Sequence, residues 1–355
     1  MKKEYLCLYL ATLLACRVGL ADDASADREW SPGKTAPVCA APADQQSAAI
    51  TSSDNGLLVV WQDNRPVGKK PDTEYPWSVY GRYLKQAKEF PIHLPPDADA
   101  VSPDVSGNHV VWVHNRGWSS LEMMTLQDGS PTVRKPIGSG SNPAIDGNLI
   151  VWSTGENRSE EGRPDISWIN DIKAYELDGP GIAFDVTNSD KLPESVPAVS
   201  GSTVVWEEAT FGSSGWSSMF LRYRDIDRDG SGRRVAGTRD KKCVHAAIDN
   251  RFVVWQDDRN GGWDIYGFDI VSGRERSIHK GPGDQENPAL HGSLVVWQDN
   301  RNGDWDIFGY DIRTRKTFPV FVGVGNQTEP DIYGDVVVWT DDRGDDKDIY
   351  ATRVK

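Results

Sequence analysis

The chain has 355 residues, of which 38% are hydrophobic, and a formal net charge of −14. It contains enough apolar material, including 14 tryptophans, for a sizeable core, and single all-β domains can reach this length. The negative charge would repel a phosphate backbone, so we expect no nucleic-acid partner.

The N-terminus has the pattern of an export signal. Two lysines precede an apolar stretch, 6–15, which is too short to cross a bilayer as a helix, and small residues follow it. We therefore predict a signal peptide over 1–21 and a location in the periplasm, at the cell surface or in the medium. Two cleavage positions fit. Residues 13–16 resemble a bacterial lipobox, in which Cys16 would carry a lipid anchor, and Ala21 suits ordinary signal peptidase.

A β-branched pair followed by tryptophan occurs seven times along the rest of the chain. The copies end at Trp61, Trp112, Trp152, Trp206, Trp255, Trp297 and Trp339. By subtraction of their numbers, these tryptophans lie 51, 40, 54, 49, 42 and 42 residues apart. A period of this length, made of short strands and Gly/Asn/Asp turns, is typical of a propeller blade.

Each repeat has the same layout around its tryptophan. Proline stands nine residues before it in five repeats, and Ala246 takes that place in a sixth. A Gly-containing turn, the tryptophan strand, a loop, a third strand such as 306–312 and a charged turn lead to a fourth strand. We therefore predict an all-β fold, a seven-bladed β-propeller of four-stranded antiparallel blades over 35–355, after a linker over 22–34.

The two ends of the predicted propeller complement each other. The last repeat stops at its third strand, and residues 35–39 align with the fourth strand of the repeat before it. We expect this N-terminal strand to complete the last blade and leave no open sheet edge. In this register Cys39 lies on an outer strand and Cys243 at the start of an inner strand, so we expect no disulfide between them.

The segment 295–312, VVWQDNRNGDWDIFGYDI, resembles the propeller repeats of TolB-like proteins, and more specifically the 42-residue repeats of archaeal and bacterial cell-surface proteins. The resemblance covers about 35–355 and is strongest in the last three repeats. It implies a propeller fold and says little about activity. TolB itself has an additional N-terminal α/β domain, which residues 22–34 are too few to form.

Aspartate and arginine recur in a fixed order after the tryptophan, as in Asp299 and Arg301, and another aspartate, such as Asp306, opens the next strand. Such carboxylates could serve as metal ligands or as an acid–base pair. Their recurrence favours a structural role instead, in which the arginine bridges two carboxylates across the hairpin. The repeated tryptophan likewise fits a core between blades better than a sugar-binding platform.

One segment matches the start of a calcium-binding loop. Asp225, Asp227 and Asp229 alternate and Gly230 follows, but the twelfth position is Ala236 where the motif has a glutamate. The repeat places this segment in a turn between two strands, where Asp-Gly is common without a metal. Calcium is a candidate ligand at these three aspartates, and we expect no other cofactor.

Three loops after the tryptophan depart from the repeat: 66–77, 153–167 and 207–217. In a propeller these loops emerge on one face, and long loops on a rigid scaffold commonly bind ligands. Tolerated surface insertion is the alternative. The candidate binding residues in and beside these loops are Lys69, Lys70, Tyr75, Trp77, Glu156, Arg158, Arg163, Glu208, Phe211 and Trp216.

The starts of the inner strands are expected to line the channel mouth on the same face. They add Glu194, His245, Gln285 and Gln327 as candidate binding residues. We assign no catalytic residue, because the sequence contains no Gly-x-Ser-x-Gly elbow, no phosphate loop and no histidine pair at metal-ligand spacing.

We predict a monomeric binding protein of the cell envelope that recognises a protein or a glycan through this face. One alternative is a secreted polysaccharide lyase or glycoside hydrolase, with His245, Arg158 and Tyr75 grouped at the channel mouth. Another is a structural component of a surface layer. Catalytic groups must meet around one substrate, so their spacing separates the first alternative from a binding role.

Overall fold

A computed structural model describes most of the chain after the predicted linker. The described residues are 33–66, 76–94, 98–157, 168–188, 192–212, 215–228, 230–237 and 241–355, with the backbone alone at 156, 157, 168, 169, 211, 212 and 215–217. Within these ranges the regular structure is β-strand, and no helix is long and apolar enough to cross a membrane.

The strands form seven antiparallel sheets, taken here in chain order. β1 (Ala36–Cys39) precedes blade one and belongs to blade seven. Blade one contains β2 (Gln45–Ser53), β3 (Gly56–Asp63), β4 (Ser78–Tyr83) and β5 (Phe90–His93). Blade two contains β6 (Asp99–Ser106), β7 (His109–Asn115), β8 (Ser119–Gln127), a short β9 (Ser130–Pro131) and β10 (Lys135–Ser139). Blade three contains β11 (Ser141–Asp146), β12 (Leu149–Asn157), β13 (Trp168–Glu176) and β14 (Phe184–Asp185).

The remaining blades repeat this order. Blade four contains β15 (Glu194–Ser200), β16 (Thr203–Gly212), β17 (Gly215–Asp225) and β18 (Arg233–Ala236). Blade five contains β19 (Cys243–Asp249), β20 (Phe252–Asp257), β21 (Asp264–Asp269) and β22 (Arg274–His279). Blade six contains β23 (Gln285–His291), β24 (Leu294–Asp299), β25 (Asp306–Asp311) and β26 (Lys316–Phe321). Blade seven contains β27 (Gln327–Tyr333), β28 (Val336–Asp341), β29 (Asp348–Arg353) and β1.

The blades form a closed ring. Each inner strand contacts the inner strands of both neighbouring blades, and β27 contacts β2 across the closure. The N-terminal strand β1 pairs antiparallel with β29, with Ala36 opposite Ala351. The predicted seven-bladed propeller and its closure by the N-terminal strand are therefore confirmed. We call the face where the inner strands begin the upper face, and the opposite face the lower face.

The repeated Val-Val-Trp builds the core between the blades. Successive strand residues point to opposite sides of a sheet. Val59 and Trp61 therefore pack with blade seven, whereas Val60 packs with blade two. Because both sides of the second strand are covered, an uninterrupted apolar run is favourable there. The seven tryptophans are at most 2% exposed, which confirms their predicted place in the core.

Hydrogen bonds at the lower face tie each blade to the next. The last side chain of an inner strand accepts a bond from the turn that follows the next inner strand, as Asp146 Oδ2 accepts from the Gly201 amide at 2.7 Å. The acceptors in six consecutive junctions are Thr51, Ser106, Asp146, Ser200, Asp249 and His291. These bonds fix the angle between blades and frame the lower exit of the channel.

The structure also describes the segment 207–217 and the two cysteines of the propeller. The segment 207–217, predicted as a loop, lies largely within the long hairpin of β16 and β17, whose pairing extends to Gly212 and Gly215. Thr210, Phe211 and Trp216 have high strand propensity and flank the sequence Gly-Ser-Ser-Gly, which favours a hairpin. Cys39 and Cys243 are both free and buried in different blades.

Candidate recognition surface

The regular blades hold the hairpin after the tryptophan with a buried Asp–Arg pair. In blade six, Trp297 Nε1 donates to Asp299 Oδ2 at 3.0 Å, and Arg301 Nε donates to Asp299 Oδ1 at 2.7 Å. The Arg301 guanidinium lies 4.1 Å from the centre of the Phe308 ring. The same set recurs at Asp63, Asp257 and Asp341.

The predicted structural role of this pair is right, but the predicted bridge is wrong. The arginine does not link its aspartate to the one that opens the third strand. That second carboxylate accepts from an asparagine instead, as Asp306 accepts from Asn302 at 2.8 Å. Where an arginine reaches a second carboxylate, the partner lies beside or on the outer strand, as Glu275 does for Arg259 at 2.5 Å. The arginine is held by the sheet, so these groups are unavailable for catalysis.

A second tryptophan ends the hairpin in blades one, five and six and clamps the next blade, and Lys347 takes its place in blade seven. Trp305 N donates to Asn326 Oδ1 at 3.2 Å, and Gln327 N donates to the Trp305 carbonyl at 2.7 Å. Trp263 does the same with Asp284 and Gln285. Both tryptophan side chains are half-buried. The clamp requires an Asp or Asn immediately before the inner strand of the following blade.

Trp118 in blade two departs from this arrangement. By strand register Ser119 takes the place of Trp263 and Trp305 in blade two, and its carbonyl accepts from the next blade as theirs do. Trp118 is the residue before it, in the turn of the hairpin. The Trp118 carbonyl instead accepts from Arg116 N within its own tight hairpin, at 3.1 Å. The Trp118 side chain is 73% exposed. A bulky aromatic group that a rigid turn presents to solvent is a common binding element.

Exposed polar residues lie in the segment beside the Trp118 hairpin. Gly140 N donates to the Ser119 carbonyl at 3.2 Å, which brings the start of blade three next to the Trp118 hairpin. Ser139, Ser141 and Asn142 are exposed there. We call Trp118 and these three residues the indole patch. Hydroxyl and amide groups beside an aromatic ring suit a ligand with both polar groups and a flat apolar surface.

Blade four carries three carboxylates where blades one and six have two glutamines and an aspartate. Glu194, Glu207 and Glu208 are buried. Trp206 Nε1 donates to Glu194 Oε1 at 3.2 Å, and Arg222 Nε lies 2.6 Å from Glu208 Oε2. Burial is the main cause that raises the pKa of both Glu194 and Glu207 to about 7.

Two carboxyl groups with a pKa near neutrality invite comparison with a catalytic acid–base pair. The strand geometry excludes that function for them. Glu194 on β15 lies opposite Glu208 on β16, so these two side chains point to the same side of the sheet. Glu207 precedes Glu208 on β16, so its side chain points to the other side. Glu207 Oε1 accepts from His245 N of blade five at 2.8 Å, whereas Glu194 faces Trp206.

The channel mouth contains a ring of residues that sequence patterns did not reveal. Each inner strand has a β-bulge near its start, and its central residue has a positive φ between 45° and 54°. The seven residues are Ser47, Ser102, Asn142, Val196, His245, Asn287 and Glu329. None is glycine, and so no glycine marked the bulge in the sequence. His245 Nδ1 lies 2.5 Å from Asn287 Oδ1, so the histidine is already engaged within the ring.

The predicted channel-mouth residues separate into two groups. His245 is exposed at the mouth, as expected. Gln285, Gln327 and Glu194 are at most 3% exposed and lie inside the blades, which corrects their expected place. The reason is the bulge. It turns the residues that follow it toward the channel, whereas the first residue of the strand points into the interior between the blades. The amide of Gln285 donates to the Pro282 carbonyl at 3.1 Å, and Gln327 repeats this bond with Val324.

The predicted loop residues are described in part. Trp77 is half-buried and clamps blade two through Asp99 and Ala100, while Glu208 is buried in its ion pair. Other predicted residues lie outside the described residues: Cys16, Lys69, Lys70, Tyr75, Arg158, Arg163 and Asp229. For Glu156, Phe211 and Trp216 the backbone alone is described, on the paired hairpins of blades three and four.

The candidate calcium ligands that are described already have partners. Asp225 Oδ1 accepts from Ser202 Oγ at 2.8 Å and from Asp227 N at 3.2 Å, and Asp225 Oδ2 lies 2.9 Å from Arg228 Nε. Among the described residues, no group of three or more His, Cys, Asp or Glu could hold a metal ion. A calcium ion at Asp225 would have to displace the Arg228 guanidinium.

The channel itself has a volume of about 420 Å³ and is lined by all seven inner strands. At one level five blades contribute alanine, while blades two and seven contribute Asp104 and Asp331. Each carboxylate accepts a backbone amide from the next blade, Ile145 N at 2.8 Å and Ile50 N at 2.9 Å. Burial raises the pKa of Asp104 to about 7 and that of Asp331 to about 6. These aspartates join blades.

Comparison with known proteins identifies the fold. No family model and no curated protein matches the chain. Among solved structures, it resembles a puromycin-hydrolyzing peptidase from Mycobacterium tuberculosis, with a TM-score of 0.64 and 16% identity over 87% of this chain and 52% of that one. The chain thus spans about half the length of that peptidase.

Two further structures match over most of both chains. An oligogalacturonate lyase in complex with manganese has a TM-score of 0.63 and 13% identity, covering 92% of each chain. TolB from Acinetobacter baumannii has a TM-score of 0.50 and 12% identity, covering 80% of this chain and 81% of that one. The shared feature is the propeller. At these identities the likeness extends to the fold alone, because one fold supports many unrelated functions.

Proposed function

We propose that this protein is an exported β-propeller that recognises a protein or a glycan of the cell envelope through its upper face. The observation that supports this most strongly is Trp118, which lies in the turn of the blade-two hairpin and is 73% exposed. Leaving a large indole in water gives up the free energy of burying it, about 2 kcal/mol, so its exposure fits a role in binding.

The neighbouring blades extend the proposed surface. The hairpin of β16 and β17 in blade four has strands of 10 and 11 residues, compared with 6 and 6 in blade six. It therefore projects beyond the regular hairpins on the same face as Trp118. Blades two, three and four lack the Asp–Arg pair of the regular blades and are consecutive in the ring. Their divergent hairpins therefore form one continuous sector of the upper face.

The test is binding of the mature protein to a glycan array and to isolated envelope fractions. We expect Trp118→Ala to weaken the bound signal about 10-fold or more, since removal of a central aromatic contact costs 1–2 kcal/mol or more. Val324→Ala, an equally exposed apolar position of blade six at 82%, is the matched control and should bind normally. Equal binding by the wild type and Trp118→Ala would contradict the proposal.

Export and anchoring have a separate test. In the mature protein isolated from cells, the N-terminal residue distinguishes Ala21 cleavage from lipidation of Cys16. If the lipobox is used, Cys16→Ser abolishes incorporation of labelled fatty acid. A full-length N-terminus on the cellular protein would contradict export.

An enzymatic role is the second candidate, favoured by the likeness to an oligogalacturonate lyase over 92% of both chains. Incubation with oligogalacturonate and manganese, followed by ultraviolet absorbance of unsaturated products, tests it directly. Glu194 and Glu207 do not form an acid–base pair, because they face opposite sides of blade four. We therefore expect no product and retention of binding.

A further inference from the structure

In three blades the outer strand ends on an aromatic ring that packs against the core tryptophan of the next blade. The ring belongs to the last residue of the outer strand, opposite the second residue of the third strand, in blades one, five and six: His93, His279 and Phe321. The centroids of each ring and its tryptophan ring are 5.3 to 5.5 Å apart, with 25° between the planes. Each ring therefore joins two neighbouring blades, and two of the three rings can take up a proton.

An arginine determines the protonation state of the histidine between blades five and six. Arg301 Nη2 lies 2.8 Å from His279 Nε2. A guanidinium has only N–H donors and keeps its charge, so Nε2 must accept the bond and the imidazole is neutral. Asp299 holds the arginine in place through Nε at 2.7 Å. Burial, and then the Arg301 charge, lower the pKa of His279 in spite of the opposing charges of Asp299 and Asp264.

The junction between blades one and two has the same contact with different partners. Arg134 Nη1 lies 3.4 Å from His93 Nε2, and Arg134 Nε lies 3.5 Å from Glu122 Oε2. The centre of the His114 ring is 5.5 Å from that of His93. Burial, the Arg134 charge and His114 lower the pKa of His93 from 6.5 to about 4. This arginine precedes β10 and does not belong to the hairpin after the core tryptophan, so a different part of the sequence supplies the same contact.

Protonation of either histidine reverses the interaction with its arginine. The new N–H on Nε2 points at an N–H of the guanidinium, so a hydrogen bond becomes a contact between two cations. The corresponding ring of blade six, Phe321, cannot be protonated, and the Arg343 guanidinium packs 4.3 Å from its centre. The junctions that contain histidine thus respond to acid, whereas the junction that contains Phe321 does not.

We propose that His93 and His279 form two acid-sensitive joints of the propeller, at which the outer parts of neighbouring blades separate when the pH falls. The two joints divide the ring into blades two to five on one side and blades six, seven and one on the other. The divergent blades two to four all lie on one side, so they move as a unit. This device does not rest on the recognition function.

The direction of the pH effect follows from the neutral state of both rings. Above pH 6.5, the ordinary pKa of histidine, the ring is neutral in the closed and the open joint alike, and the joint has its full stability. As the pH falls from 6.5 toward 4, the open joint takes up the proton first, so the closed joint loses stability. Glu194 and Glu207 act in the opposite direction over this range, and each variant is therefore compared with the wild type at the same pH.

The experiment compares the wild type with His93→Phe and His279→Phe between pH 4.5 and 7.5. Phe321 shows that phenylalanine packs at this place. At pH 7.5 each variant should melt at the same temperature as the wild type or lower, because its arginine loses an acceptor, and at pH 4.5 it should melt higher. Hydrogen exchange at pH 5 locates the effect. In His93→Phe the amides of β5 should exchange about 10-fold more slowly than in the wild type, since each unit of pKa shift is a factor of ten and partial exposure reduces it.

The matched control is the reciprocal change, Phe321→His, which places an imidazole beside Arg343. It should create a third joint, with exchange of β26 close to that of the wild type at pH 7.5 and faster at pH 5. A difference between the histidine variants and the wild type that does not vary with pH would overturn the proposal. So would slower exchange at pH 5 in all seven blades of His93→Phe, because the effect would then be global and not located at a joint.

Discussion

Blades five to seven and blades two to four share one backbone but stabilise the upper face differently. In the regular blades a buried carboxylate, as at Asp299, joins the core tryptophan to an arginine that packs on an aromatic ring. In blades two to four the corresponding residues are His114, Thr154 and Glu208. The Asp–Arg arrangement is a repeated structural unit. Blades two to four have no common arrangement, so the length and contacts of their hairpins differ.

Blades two to four lack hydrogen bonds that stabilise the regular blades. Trp112 Nε1 has no hydrogen-bond partner among the described residues, whereas Trp297 Nε1 has one. In blade two Ser119 stands where blades five and six have the second tryptophan, and Trp118 before it is 73% exposed. A ring tolerates such a sector because the core clusters and lower-face bonds still connect every blade to the next.

The largest contrast is expected from removing the buried carboxylate. Asp299→Ala leaves Trp297 Nε1 and Arg301 without their acceptor, and we expect a loss of about 3 kcal/mol in the free energy of unfolding. Thr154→Ala, at the corresponding place in blade three, should cost about 1 kcal/mol. Denaturant titration of both variants checks this. Equal losses would mean that the Asp–Arg unit is not what distinguishes the regular blades.

The acidic residues of blade four predict a pH dependence. Their pKa of about 7 in the folded state exceeds the ordinary value of 4.5, so the folded state holds these protons at higher pH than the unfolded state. Stability should therefore fall as pH rises from 4.5 to 7.

Glu194→Gln/Glu207→Gln gives blade four the two glutamines that blades one and six have at these places. We expect no gain near pH 4.5 and a gain of about 2 kcal/mol per residue at pH 8, because the buried charges are removed. Thermal melts across this pH range measure it. A gain that does not vary with pH would contradict the assignment of these two groups.

A smaller contrast concerns the tryptophan that lacks an acceptor. Trp112→Phe and Trp297→Phe remove similar volumes from equally buried sites. Only the second breaks a hydrogen bond to a charged group, so we expect it to cost about 1 kcal/mol more. Unfolding midpoints of the two variants supply the comparison, and a larger loss for Trp112→Phe would reverse it.

The smallest effect is expected at the bulge of blade four. Val196 has a φ of 45°, a strained conformation for a β-branched side chain, whereas blade six has Asn287 at φ 50°. Val196→Asn should raise stability by about 1 kcal/mol, and the reverse change, Asn287→Val, should lower it. If both changes destabilise, side-chain contacts outweigh the backbone strain.

The repeat predicted the ring, its closure and its core, because Val-Val-Trp carries strand propensity and burial in the same three residues. The different place of Trp118 could have been found from its spacing, because it follows Trp112 by six residues whereas Trp305 follows Trp297 by eight. The bulge residues at the channel mouth could not have been predicted from the sequence. Its bulges place non-glycine residues such as His245 and Val196 at positive φ, and no local residue preference marks those positions.

The pairing of β1 with β29 also determines the order in which the protein can be completed. Ala36 meets Ala351, so a strand made among the first cannot find its partner until the last residues have been synthesised. Until then the outer edge of blade seven and the edge of β1 are both unpaired, and exposed edges invite pairing with other chains. Closure of the ring must therefore follow synthesis of β29, which makes protection of these edges during synthesis a requirement of this topology.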